Sequence, residues 1–174
     1  MSKLKLTFLF SLVSIALMAQ DKVGDLILLA DVPESKALTN FAEQYAEAIQ
    51  NNNYEKVAAL THADVVKMGG GETFIISDLK SEGDMLMSQG FKYTGVEVGT
   101  HPEFLKSEGQ LQTVIPVRYY LSYNGKDVEA WTNLFASSID EGVSWTFVNL
   151  EKFDEASLRE FVSNVSPDLV FPTR

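Results

Sequence analysis

The hydrophobic period of this chain changes to two at Gly90-Phe91, and that change sets the order in which its layers are built. Before it, apolar residues recur every three or four positions, as on one face of a helix; after it, they recur at every second position, as on one face of a strand. Leu38, Phe41, Ala42, Tyr45, Ala46 and Ile49 make one stripe, with Glu43, Gln44, Glu47 and Gln50 opposite, and predict a helix over 39–52. Thr39 supplies its cap, Glu43 sits in the first turn, and Asn51-Asn52-Asn53 ends it. A second helix follows over 54–60, with Val57, Ala58 and Leu60 inward, and a short segment, 63–68, leads to Gly69-Gly70-Gly71. The third helix covers 72–89, with a stripe of Ile75, Ile76, Leu79, Leu86 and Met87. Gly83 on that side permits close packing, and Gly90 stops the helix.

Strands are expected over 91–99, 110–123, 126–138 and 143–150. His101-Pro102 breaks the first, Asn124-Gly125 is a hairpin turn, and Asp140-Glu141-Gly142 turns the chain again. Pro116 has no N–H for a ladder, so a bulge or bend is expected there. A last helix over 154–164 points Leu158, Phe161, Val162 and Val165 inward, and Val170 and Phe171 pack as a tail. The expected class is α+β: three N-terminal helices packed on a curved four-stranded antiparallel sheet, with a C-terminal helix.

The first residues carry a different message. Lys3 and Lys5 precede an apolar run over 6–18, and Ala19 offers a small residue before the polar Gln20 and Asp21. This is the layout of a cleavable export signal, and the run is shorter than the ~20 residues of a membrane span. The expected organisation is a signal over 1–19, an arm over 20–37 and one domain over 38–174, in a periplasmic or secreted protein. Cysteine is absent, which excludes disulfides, thiolate metal sites and a lipid anchor attached through cysteine. Loss of Lys3 and Lys5 leaves 12 basic against 24 acidic residues, a formal charge of −12. Nucleic acids and anionic membranes need clustered Lys or Arg and are poor partners for such a chain.

Several stretches resemble the nuclear transport factor 2-like superfamily, which includes SnoaL-like proteins and ketosteroid isomerases. They are the amphipathic helix 41–49, Asn-Asn-Asn-Tyr-Glu-Lys-Val at 51–57, Thr-His-Ala-Asp-Val-Val-Lys-Met-Gly-Gly at 61–70, and Trp-Thr-Phe-Val-Asn at 145–149. The resemblance covers 38–150 and rests chiefly on the order of elements. It implies a cone-shaped fold with an internal pocket. The isomerases use a carboxylate base with a tyrosine-plus-acid oxyanion site. No Asp here aligns with that base, so the activity is not carried over, and the fold hosts many functions.

Tyr119 and Tyr123 share one face of the second strand, with Tyr45 opposite on the first helix. Lining a cone, their hydroxyls orient a ligand; as core aromatics, they bond to backbone or reach the rim. His62 and Asp64 have the composition of a base pair, although in a short loop such residues more often make a turn or cap. One histidine with scattered carboxylates lacks zinc spacing, and the glycine run lacks the Lys-Ser or Lys-Thr of a phosphate loop, so no metal and no cofactor are expected. Arg118 either clamps a ligand carboxylate or pairs across strands with Glu129. In the third strand Val128, Ala130, Leu134 and Ala136 take one face, and Trp131 and Phe135 the other. Apolar residues on both faces require cover on both, and a second subunit meeting Trp131 and Phe135 would provide it. The alternative is that the sheet closes these two onto its own core or arm. The preferred function is an exported, non-enzymatic binding domain with a small apolar ligand, and a homodimer. The alternatives are a small isomerase, dehydratase or hydrolase, and a structural or protein-interaction module acting through the sheet.

Overall fold

The computed structural model describes residues 33–100 and 103–171. The expected signal, residues 20–32 of the arm and the His101-Pro102 break lie outside the described residues. The described chain is α+β, with helices α1 (Pro33–Gln50), α2 (Tyr54–Leu60), α3 (Ala63–Met68), α4 (Glu72–Ser88) and α5 (Glu155–Phe161). Its strands are β1 (Phe91–Val98), β2 (Leu105–Ser107), β3 (Gln110–Tyr123), β4 (Lys126–Ser138) and β5 (Thr146–Asn149). They form one antiparallel sheet in the order β1-β3-β4-β5, with β2 on β3 beyond β1.

Four helices, rather than three, precede the sheet, because 63–68 is a helix with its own cap. The sheet has five strands rather than four; β2 is three residues long, too short to show an alternation in sequence. Helix α1 already includes Pro33, a residue suited to a first turn because its missing N–H would be unpaired there. Thr39 is therefore not a cap: it lies inside the helix, and its hydroxyl donates to the Ser35 carbonyl at 3.0 Å.

Strands β3 and β4 pair without a break from Leu111↔Ser138 to Tyr123↔Lys126. They turn at Asn124 and Gly125, both with positive φ (51° and 77°), the conformation a two-residue hairpin needs. The expected irregularity at Pro116 is absent, since Pro116 pairs in register with Asn133. Its carbonyl accepts from Gly99 N–H at 2.8 Å, so its missing N–H lies on the side facing Gly99, just past the end of β1. A register shift falls instead in β1, between Tyr93 and Gly95.

Unbroken register divides the sheet into two faces. Ile115, Val117, Tyr119 and Leu121 of β3 share a core with Leu134, Ala136 and Phe147, and with Leu38, Ala42, Tyr45 and Ala46 of α1. On the opposite face Val114, Phe135 and Val148 pack with Val65, Leu158, Val162 and Leu169. The lack of clean alternation in β4 thus has an internal cause at one end: Phe135 is wholly buried beneath the chain's own C-terminal segment. Phe135 offers no surface to a second subunit, which corrects its place in the expected interface. Trp131, four residues away on the same face, remains 58% exposed.

Two further expectations change. The strand expected over 143–150 is shortened to β5, because the preceding turn uses the backbone of 142–145 for its own bonds. The Asp140 carboxylate accepts from Ser144 N–H (2.9 Å), and the Trp145 indole donates to the Gly142 carbonyl (3.1 Å). In α5, Leu158 is inward as expected, but Phe161 is exposed; in the tail Leu169 is buried while Val170 faces outward.

Candidate functional site

Helix α4 differs from α1 in having no fully buried residue, although apolar side chains fill much of it. The expected stripe is only partly inward. Ile75, Leu79 and Leu86 line a cavity, whereas Met87 is exposed, as are Phe74 and Met85. The space beneath α4 is closed by Tyr45 and Ile49 of α1, Tyr54 and Val57 of α2, Tyr93 of β1, and the segment 149–153. Its volume is about 510 Å³, within the range of small-molecule sites. Gly83 does permit close approach: a methyl group there would collide with the Tyr54 hydroxyl, which donates to Asn52 Oδ1 at 2.9 Å.

Tyr45 and Tyr93 are lining residues, and Tyr119 packs on Tyr93. The Tyr93 and Tyr119 rings meet edge to face, with centroids 5.5 Å apart, and Tyr45 lies against Phe147 at 5.3 Å. Burial pushes the Tyr45 phenol up to about 12, opposed by its hydrogen bond with Thr61. Tyr119 is 6% exposed, and its hydroxyl has no hydrogen-bond partner among the described residues. Burial raises its pKa well above the ordinary tyrosine value, and Tyr45, Tyr93 and Glu151 add to the rise. Tyr93 is raised by burial first, then by Glu151, Tyr54 and Glu82. These hydroxyls therefore keep their protons throughout the physiological range.

The rim is charged. Asp78, Glu82 and Glu151 line it together with Lys152, whose ammonium is ion-paired with Glu82. That pair ties α4 to the segment after β5, and both partners are about half exposed.

Of the residues singled out in the sequence, the structure brings Tyr45 and Tyr119 together on the inner face. Tyr123 lies at the end of that face, 39% exposed and stacked on Phe91 at 4.4 Å. His62 caps α3, its Nδ1 accepting from Asp64 N–H at 3.3 Å. The Asp64 carboxylate instead accepts from the backbone and hydroxyl of Ser163, at 2.8 and 2.6 Å. A base pair would have the carboxylate orienting the imidazole through Nδ1–H; here that nitrogen is itself the acceptor. Burial lowers the His62 pKa, with Asp64 opposing.

Arg118 lies on the other face of the sheet, away from the tyrosines. Its guanidinium stacks over Trp131 at 3.9 Å, donates to the Tyr120 hydroxyl at 3.2 Å and stands 3.8 Å from Glu97. The expected pairing with Glu129 does not occur, because register places Glu129 opposite Tyr120. Beside this stack, Pro116, Trp131, Asn133, Phe153 and Phe171 border a wider groove of about 890 Å³.

No known family model and no curated protein matches the chain. Of the two hollows, the one under α4 is the candidate binding site, because Tyr45, Tyr54 and Tyr93 line it together with apolar side chains of α1, α2 and α4. Sequence reasoning missed Tyr93, Tyr54, Glu151 and the inward residues of α4 as neighbours of one space. The signal for Tyr93 was present, since it precedes a register shift in the strand that pairs with Tyr119. Glu151 had none, because loop acids carry no period.

Proposed function

We propose that this protein is an exported, non-enzymatic binding domain that holds a small, largely apolar ligand in the cavity under α4. One observation carries the reading: a hollow of about 510 Å³ lined by apolar side chains of α1, α2 and α4 and by Tyr45, Tyr54 and Tyr93. Apolar hollows of this size with a few polar side chains in the lining are the usual places for a small ligand. The His62–Asp64 pair, the nearest thing to a catalytic couple in the sequence, is occupied in capping and tethering α3.

The element order, four helices and then an antiparallel meander, supports membership of the nuclear transport factor 2-like superfamily, with the cavity as its internal pocket. The charged segment Lys3–Lys5 and the apolar run after it support export through a cleaved signal. Exposed Trp131, stacked with Arg118 beside an apolar groove, supports a homodimer through the outer sheet face.

Native mass spectrometry of the purified protein tests the binding reading. A co-purified small molecule, released on unfolding, is expected. Retention of no small molecule, together with a crystal structure in which side chains fill the space under α4, would remove it.

A further inference from the structure

Helix α4 roofs the cavity with Ile75, Leu79 and Leu86, yet buries none of its residues fully. It packs on α2, α3 and β1. Glycines of positive φ stand at both of its ends, Gly70 and Gly71 before it and Gly90 after it. Glycine reaches that region without the steric cost other residues meet there, so the backbone at each end of α4 is free to turn. Hinges are made in this way, from a few positions at the ends of an element that absorb the change in φ and ψ.

The seam between α4 and the wall opposite is electrostatic. Asp78 and Glu82 stand on the α4 side, and Glu151 and Lys152 on the other. Lys152 is the one cation among the described residues that line the cavity, and its ammonium donates to both oxygens of the Glu82 carboxylate. Both partners are about half exposed, so the pair is a weak tie that breaks and re-forms readily. Without the lysine, three carboxylates would face one another across the seam and repel.

We propose that α4 is a lid over the cavity, hinged at its flanking glycines and latched by the Glu82–Lys152 pair, and that it opens while the rest of the fold stays closed. As a control on ligand entry and exit, this rests on the binding reading above. The opening itself needs no ligand and is tested without one.

The chain has no cysteine, so a single introduced thiol reports on one place. Val57→Cys puts it beneath α4, at a cavity-lining residue that is 1% exposed; Val117→Cys puts it in the core between α1 and the sheet, at a residue equally shut off from solvent. Reaction with the neutral reagent iodoacetamide is followed by intact mass at pH 8. The thiol at 57 is expected to react about tenfold faster than the thiol at 117, because local opening is easier than global opening. Lys152→Glu is expected to speed the reaction at 57 by about fivefold and leave 117 unchanged, and adding Glu82→Lys, which restores a pair of reversed sign, should bring the rate at 57 back to within about twofold of the start. Near-ultraviolet circular dichroism checks each fold. Deuterium exchange of the α4 amides in cysteine-free Lys152→Glu, faster than in the parent while α1 is unaltered, gives the same reading without a thiol. Equal rates at 57 and 117, acceleration of both by Lys152→Glu, or no acceleration at 57 overturns the proposal. Native mass spectrometry reads ligand retention separately, so the lid and the binding reading fail on different measurements.

Discussion

A phenol hydroxyl buried without a partner gives up its bonds to water and gains nothing in return, and among the described residues Tyr119 finds no partner. Tyr119→Phe is therefore expected to stabilise the free protein by about 1 kcal/mol, read as a higher urea midpoint with an unchanged slope. A lower midpoint would show that the hydroxyl is bonded after all. His62 predicts a pH effect of definite sign. Burial depresses its folded pKa, while the unfolded chain titrates near ~6.5. As pH falls below that value the unfolded state takes up the proton first, so stability is full above it and is lost as pH descends toward the folded pKa. His62→Asn keeps a residue able to cap α3 and removes the titration. Urea denaturation of this variant between pH 7 and 5 is expected to lose that part of the slope, and an unaltered slope would assign it to other groups.

At the scale of elements, α4 is set apart. Its N-cap, Gly71, offers no side-chain bond, Gly70 and Gly71 both have positive φ, and it buries no residue fully, whereas α1 buries six. Elements with few buried contacts open most readily, so amides within α4 should exchange with deuterium at least tenfold faster than those in the middle of α1. Equal protection would mean that α4 is held as firmly as the core. Its closest contact is Gly83 against Tyr54, and that contact predicts a coupling. In an open helix Gly→Ala gains about 1 kcal/mol, but here the added methyl meets the Tyr54 hydroxyl. Gly83→Ala is expected to gain stability in a Tyr54→Ala background and not in the wild type, with a coupling of about 1 kcal/mol in the double-mutant cycle. An additive pair would show that Tyr54 swings aside without cost.

At the scale of the whole molecule, the sheet serves two cores, and the outer one stops short. α5 and the tail cover Val114, Phe135 and Val148, but the cover ends before Trp131 and Arg118. A second copy seated there would bury the exposed indole, and Trp131→Glu would place a charge in that contact. Sedimentation velocity is expected to show a dimer for the wild type and half its mass for the variant; equal masses would remove the homodimer.

The sequence by itself determined the α+β class, the inward stripe of α1, the hairpin at Asn124-Gly125 and the close approach at Gly83, because each depends on period or on backbone conformation within a few residues. It also exposed the apolar excess in β4 without saying what meets it. Tertiary structure alone decided that Phe135 lies under the C-terminal segment while Trp131 stays exposed, and that Arg118 stands across the sheet from Tyr119. It also joined Tyr45, Tyr93 and Glu151, which lie in three separate parts of the chain, around one space. Those outcomes depend on register and on which segment folds over which face, and contacts between distant parts of a chain leave no local period to read.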